Sequence, residues 1–431
     1  MMRSSRLPGF FRLSPEERWE CVGDFADLAG EERDALRDGI SLTLAQAERM
    51  IENVVGTYAL PLGVATNFLI DDRDYLIPMV IEEPSVVAGA SYAAKLARQG
   101  GGFRTVVDPS HMIGQVQIVD VADPEAARLR LLAAKEEILA LANEQDPVIV
   151  DMGGGAKDLK VRSFCHSPAG PMLVAHLIYD TCDAMGANTV NTAVEAVAPL
   201  VEDLTTGRVV LRILSNLADR RLARARCVVP QEALATHGFT GEEGVRRILE
   251  AYAFAVCDPY RAATHNKGIM NGIDGVALAI GNDWRALEAG AHAYASHGGG
   301  YGPLTTWERN AEGDLVGSIE LPMAVGVVGG ASKAHPQARL NLEVLGVSSA
   351  RELAGVMASV GLAQNLAALR ALAMEGIQQG HMKLHARQLA MAAGAVEEQV
   401  AAVAERMVAE GVVRLDRAEA ILKKLQEGEE V

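Results

Sequence analysis

From Gly114 onward, apolar and polar positions alternate over 114–121 (GQVQIVDV), which predicts a strand. The period then lengthens over 124–143 to that of an amphipathic helix. Further runs predict strands near 148–151, over 157–165 and over 171–180, then a helix over 188–204 and a strand over 208–215. These are read as a β-α-β-β-α-β run with one short strand in excess, the split βαβ pattern of a ferredoxin-like α+β domain, placed at 110–215. Residues 1–109 and 216–374 are richer in alanine and in helix-period segments, which predicts one large, mostly helical domain with the small one inserted into it. Ser14-Pro15-Glu16-Glu17 reads as a helix start, with a cap, proline at the first position and acids in the first turn. Residues 375–431 form a small helical terminal domain, one helix opening at His381 after Gly380 and a densely charged one covering 414–427. The apolar stretch 354–374 is broken by Gln364, Asn365 and Arg370, which makes it a buried helix rather than a membrane span.

With 431 residues, the chain is long enough for sizeable cores. Its 40 basic and 56 acidic residues leave a net charge of −16, which excludes a protein that coats nucleic acid or anionic membrane by bulk charge. An anionic ligand must then be held by a few local cations. The five cysteines, at 21, 165, 182, 227 and 257, are scattered without a C-x-x-C, against both a disulfide framework and a thiolate zinc site. No signal-like apolar region follows the first residues, and a cytoplasmic location is expected.

Three segments carry candidate chemistry. Ile81-Glu82-Glu83-Pro84-Ser85 joins a strand-like run (YLIPMVI) to a small-residue helix with Pro84 at its first position. Acids there act either as capping groups or, where burial raises a pKa, as a proton donor. Asp258 to Asp274 sets Arg261, His265, Asn266, Lys267 and Asn271 among small residues and glycines, reading as a solvated loop or as a site. Arginine offers a fork for a carboxylate, and lysine beside glycine can stabilise an oxyanion. Asp283, in Gly281-Asn282-Asp283, could pair with that lysine. Asp183-Ala-Met185-Gly186-Ala-Asn188 joins a strand to a helix that includes Thr192, a turn that is structural or seats a pyrophosphate on backbone N–H groups. His381 and His385 stand four apart, a metal-capable spacing, but without a third ligand no metal is expected.

Taken together, Glu52-Asn-Val-Val-Gly56, Glu82-Glu-Pro-Ser85, Asp183-Ala-Met-Gly-Ala-Asn188, Thr264-His-Asn-Lys-Gly-Ile-Met-Asn271, Gly281-Asn-Asp283 and Gly380-His381 resemble hydroxymethylglutaryl-CoA reductase, from about residue 6 to the C-terminus. The closer likeness is to the soluble bacterial class II enzymes, including the degradative NADH-using kind. The resemblance implies a large helical domain, an inserted cofactor domain and a C-terminal flap, and interconversion of hydroxymethylglutaryl-CoA with mevalonate and CoA. It implies catalytic roles for Lys267 at the oxyanion, Asp283 tuning it, His381 protonating the CoA thiolate, and Glu83 as an acid of raised pKa. Ser85, Arg261 and Asn271 grip the substrate. Asp146, Asp183, Met185, Gly186, Asn188 and Thr192 hold NAD(H), with Asp146 on the adenosine ribose. A homodimer, or an assembly of dimers, with the site between subunits also follows. Another CoA-thioester oxidoreductase lacks a visible cysteine or cofactor motif, and a CoA-binding scaffold has little reason to keep all four chemical positions.

Overall fold

The helix start at Ser14 forms as its residues dictate: the Ser14 hydroxyl accepts from Glu17 N at 3.2 Å, the Glu17 carboxylate accepts from Ser14 N at 2.8 Å, and the helix runs Pro15–Ala26. The computed structural model describes residues 4–39, 42–236, 238–330, 334–375, 377–396 and 398–427, without the side chains of 375–384 and 398.

The alternating segments build a four-stranded antiparallel sheet from β4 (His111–Val119), β5 (Gly155–Phe164), β6 (Met172–Asp180) and β7 (Arg208–Ser215), in the order β5-β6-β4-β7. In chain order that is 2-3-1-4, the ferredoxin-like arrangement. One face is packed by helices through Met112, Ile118, Leu131, Ile138, Leu173, Val190 and Val194. Two details differ from the sequence reading. The 124–143 helix is two, Pro124–Ala133 and Lys135–Asn143, meeting at Ala134. The segment expected as a strand near 148–151 is a short helix, Pro147–Asp151, because Asp146 caps it (Ile149 N to Asp146 Oδ1, 3.1 Å) and Pro147 presets its first turn.

The larger correction concerns the flanking segments, which are not simply helical. They contribute a six-stranded sheet in the order β2-β1-β3-β8-β10-β9, from β1 (Leu62–Ile70), β2 (Arg73–Val80), β3 (Phe103–Val107), β8 (Leu222–Val229), β9 (Thr305–Arg309) and β10 (Leu315–Pro322). Helices Val86–Arg98, Pro259–Ala279 and Ala350–Arg370 share its core, with Phe68, Ile77, Phe103, Ile273, Val360 and Leu366 all buried. The Ala350–Arg370 helix is long and apolar enough to cross a membrane, but it is a core element here. The C-terminal helices Ile377–Ala392, Glu398–Glu410 and Leu415–Gln426 pack on their own cluster around Ala390, Val403, Met407 and Ile421. The first of them starts before Gly380 rather than at His381.

Candidate active site

The polar segment 258–274 is helical. Asp258 caps the Pro259–Ala279 helix, accepting from Tyr260 N at 2.9 Å, with Pro259 at its first position. Ala262, Ile269, Met270, Ile273, Val276 and Ala277 form its buried stripe. His265 and Asn266 join that stripe because the surrounding structure satisfies them. Asn266 Nδ2 donates to Gly302 O (2.9 Å) and to the Tyr301 hydroxyl (3.1 Å), and its Oδ1 accepts from Leu304 N (3.0 Å). His265 Nε2 lies 2.7 Å from the Thr305 hydroxyl and 3.1 Å from Asn365 Nδ2. Burial, and secondarily Arg261, push the His265 imidazole down to about 4, so it is neutral at working pH.

What remains outside the buried stripe is Arg261, Lys267 and Asn271. Lys267 Nζ lies 2.5 Å from Glu83 Oε2, an ion pair that joins the helix to the β2–Val86 loop across 184 residues. Glu83 therefore faces an ammonium. Arg261 is half-buried, burial alone lowers its pKa, and it makes no hydrogen bond or ion pair among the described residues. A desolvated cation without a counter-charge calls for an anionic ligand. Ser85 is not in the helix that Pro84 was expected to start. It caps Val86–Arg98 in a left-handed conformation (φ 71°) with no side-chain capping bond, which leaves its hydroxyl available. A non-glycine residue held there costs energy that the fold sustains at the site's edge.

Asp283 does not meet Lys267. Its carboxylate caps the Trp284–Ala295 helix, accepting from Arg285 N and Ala286 N at 3.1 Å, and pairs with Arg285 at 3.4 Å. His381 lies in the Ile377–Ala392 helix, but its side chain falls outside the described residues.

The cofactor candidates gather at one end of the four-stranded sheet. Gly186, at φ 99°, is the N-cap of the Ala187–Thr205 helix, which carries no side-chain cap and no acid in its first turn. Its free N–H groups and the exposed Asn188 suit an anion such as a dinucleotide pyrophosphate. Thr192 is exposed one turn further on. Asp146 approaches the same end, since its charge helps raise the Tyr179 and Cys182 pKa values after burial has done most of that work. Asp183 is otherwise engaged: its Oδ1 accepts from Ala350 N (2.8 Å) and its carbonyl from Val327 N (3.0 Å). Met185 offers its carbonyl to Arg221 at 3.2 Å.

Gln364 was noted in the sequence only as an interruption of an apolar run. Its Oε1 is buried without a partner, and its side chain packs where Gly89 and Gly272 bring the Val86–Arg98 and Pro259–Ala279 helices against Ala350–Arg370. A polar residue inside an apolar helix is a readable signal for such a position.

The family model for hydroxymethylglutaryl-coenzyme A reductase matches residues 14–386. The 3-hydroxy-3-methylglutaryl-coenzyme A reductase of Archaeoglobus fulgidus is 57% identical over 424 residues, 98% of this chain and 95% of that protein. A probable reductase of Borreliella burgdorferi is 35% identical over 351 residues, 79% of this chain and 77% of that one. Among solved structures, the Streptococcus pneumoniae reductase aligns with a TM-score of 0.83 at 45% identity, covering 97% of this chain and 99% of its own. A structure of the class II enzyme from that organism, bound to NADPH in open conformations, gives 0.81 at 44% identity, covering 96% and 100%. Near-complete coverage in sequence and in fold leads to one conclusion: the chain belongs to the hydroxymethylglutaryl-coenzyme A reductase family.

Proposed function

We propose that this chain interconverts hydroxymethylglutaryl-CoA with mevalonate and CoA through two nicotinamide-linked steps. The observation that carries the reading is Arg261, a half-buried guanidinium without a partner among the described residues, six residues before the Glu83-paired Lys267 on one helix. A substrate with a free carboxylate supplies the missing counter-charge, and the uncommitted Ser85 and Asn271 can bond its hydroxyl.

Bound nicotinamide supplies a hydride to carbon in each reduction. Lys267 stabilises the alkoxide formed when the thioester carbonyl is reduced. As that hemithioacetal collapses to mevaldehyde, His381 gives a proton to the departing CoA thiolate. Glu83, in its protonated form, delivers a proton to the aldehyde oxygen as it becomes the alcohol, and the carboxylate left behind pairs with the Lys267 ammonium. Asp283 completes the catalytic set on the family resemblance, and its helix-start position fixes its carboxylate. A homodimer or an assembly of dimers is part of the reading. On the family resemblance, the nicotinamide reaches this site from the partner's cofactor unit. A cytoplasmic location belongs to the same reading.

For the dinucleotide we propose NADH. A carboxylate at Asp146 accepts from a ribose diol and repels a 2′-phosphate. The pneumococcal enzyme bound to NADPH makes this the point most open to test. Absorbance assays with hydroxymethylglutaryl-CoA and each dinucleotide, with thiol release followed in parallel, test the whole proposal. Activity with neither overturns it. A kcat/KM that favours NADPH, or a preference unchanged in Asp146→Ala/Val148→Arg, removes Asp146 from the cofactor site.

A further inference from the structure

The structure assigns Arg221 as the positioning residue for the cofactor-binding turn 183–186, through the backbone carbonyls it holds. The inference rests on the reading of that turn and the following helix start as the dinucleotide site.

Arg221 lies just before β8, in the segment that returns the chain from the four-stranded to the six-stranded sheet, and only 2% of its surface is exposed. Its guanidinium meets no carboxylate among the described residues. Nη1 donates to the Thr181 hydroxyl (3.1 Å), Ala184 O (3.2 Å) and Met185 O (3.2 Å), and Nη2 donates to Val325 O. A buried cation bound only to neutral oxygens is a costly arrangement, and a fold that keeps it has a use for the charge or for the geometry. Burial pushes Arg221 down to about 10, still charged at neutral pH, with Asp180 and Asp183 near enough to offset part of the cost.

The geometry favours Arg over Lys. Acceptors on two separate segments, 181–185 and 325, are spanned by one planar fork, which an ammonium cannot match. Those segments are the two sides of a junction. Val327 N donates to Asp183 O, Ala350 N donates to Asp183 Oδ1, and Gly326 packs so closely that a Cβ there stands 2.5 Å from Met185 N. Arg221 is itself fixed, with its N bonded to Ala218 O and its O to Met323 N, each at 3.0 Å.

The consequence for a ligand follows from peptide planarity. With the Met185 carbonyl directed at the guanidinium, the N–H of Gly186 in the same trans peptide points away from it. Gly186 opens the Ala187–Thr205 helix, so Arg221 fixes the direction of the first N–H in the anion cradle. It also sets a full positive charge behind the turn, adding to the helix dipole at the place where a pyrophosphate is read to sit.

Fluorescence titration of the full-length protein with NADH and with NADPH tests this without turnover. Arg221→Lys keeps the charge but loses the fork, and is expected to weaken both dinucleotides about tenfold, the loss of a hydrogen bond to a charged group. KM for hydroxymethylglutaryl-CoA should stay within about twofold, because Arg261 and Lys267 lie on another helix. Asn188→Glu, which sets an acid at the exposed helix start without touching Arg221, is the control for the underlying reading. If Asn188→Glu leaves dinucleotide affinity unchanged, the site is elsewhere and the reading of the turn fails. If Asn188→Glu weakens binding while Arg221→Lys does not, or if Arg221→Lys costs substrate and cofactor equally, the Arg221 assignment fails. Should Arg221→Lys not fold, Gly326→Ala presses on the same turn from the other side. A cofactor-selective loss there supports the junction, and unchanged affinity overturns it.

Discussion

Substituting Arg261 separates a substrate grip from a packing element, because the two roles predict opposite signs for stability. Arg261 makes no described hydrogen bond or ion pair, and burial alone acts on its charge, so in the free protein that charge is a cost to the folded state. Arg261→Met removes the charge while keeping an unbranched stem, and its melting temperature should equal or exceed that of the wild type. The substrate tells the other half. A bidentate guanidinium–carboxylate contact contributes two charge-assisted hydrogen bonds, and Arg261→Lys keeps the charge but forfeits the fork, at about 1.5–3 kcal/mol. That corresponds to roughly 10- to 100-fold in kcat/KM, carried mainly by KM, with Arg261→Met losing more. Initial rates over a range of hydroxymethylglutaryl-CoA concentrations, with calorimetry on the same preparations, read both quantities. An Arg261→Met protein with unchanged KM, or one that melts well below the wild type, would refute the argument that this guanidinium waits for the substrate carboxylate.

Lys267→Ala should lower both reductions by about 10² to 10³ or more while melting close to the wild type, since the ion pair it breaks is largely solvent-exposed; near-normal turnover in a folded variant excludes Lys267 as the electrophilic group. His381→Gln should impair thioester reduction far more than reduction of free mevaldehyde, where no thiolate leaves, and equal losses in separate half-reaction assays would assign His381 to folding or positioning. Half-buried Asp274 and buried His265 act in opposite senses on the pH dependence of stability. Burial, then the neighbouring Glu288, push Asp274 well above its usual 3.8, so its contribution is full below that value and is lost progressively as pH rises toward the raised folded pKa. His265, pushed down to about 4 from 6.5, contributes stability present above pH 6.5 that is lost as pH falls toward 4. Melting curves from pH 4 to 9 should show Asp274→Asn removing a loss of stability with rising pH and His265→Gln removing a loss with falling pH below 6.5, and unaltered profiles would remove these residues from the linkage.

The ferredoxin-like unit was legible because its strands are long and half-buried, so the period of two is written in the residues of β4 and β6 and matches their burial. The six-stranded sheet was not. β3 and β9 are five residues each, β8 alternates alanine and arginine, and the pairings Phe103↔Cys227 and Leu315↔Val229 join segments far apart in the chain. The Pro147–Asp151 helix shows a local conflict decided by the cap: β-branched residues favour a strand, yet Asp146 and Pro147 satisfy and preset a helical turn. Arg221 carried no signal at all, being one of four arginines between 220 and 226, because only the tertiary junction decides which of them is buried.

The Pro259–Ala279 helix shows most clearly where sequence reasoning stops. Its polar residues read either as a solvated loop or as a site, since His265, Asn266, Lys267 and Asn271 stand close together among glycines. Helical geometry sorts them onto two faces. His265 and Asn266 fall on the buried stripe, where their partners at Tyr301, Gly302, Leu304, Thr305 and Asn365 come from other elements and make them part of the core. Lys267 and Asn271, one turn apart, fall on the other, where the nearest described partner is Glu83, supplied by a loop 184 residues away, while Arg261, one turn before His265, stands half-buried at the edge of the buried stripe. The residue types were readable, but which of them are spent on holding the helix and which remain for a ligand depends on those distant partners. That division makes Arg261, left without a counter-charge among the described residues, the most informative residue of the site.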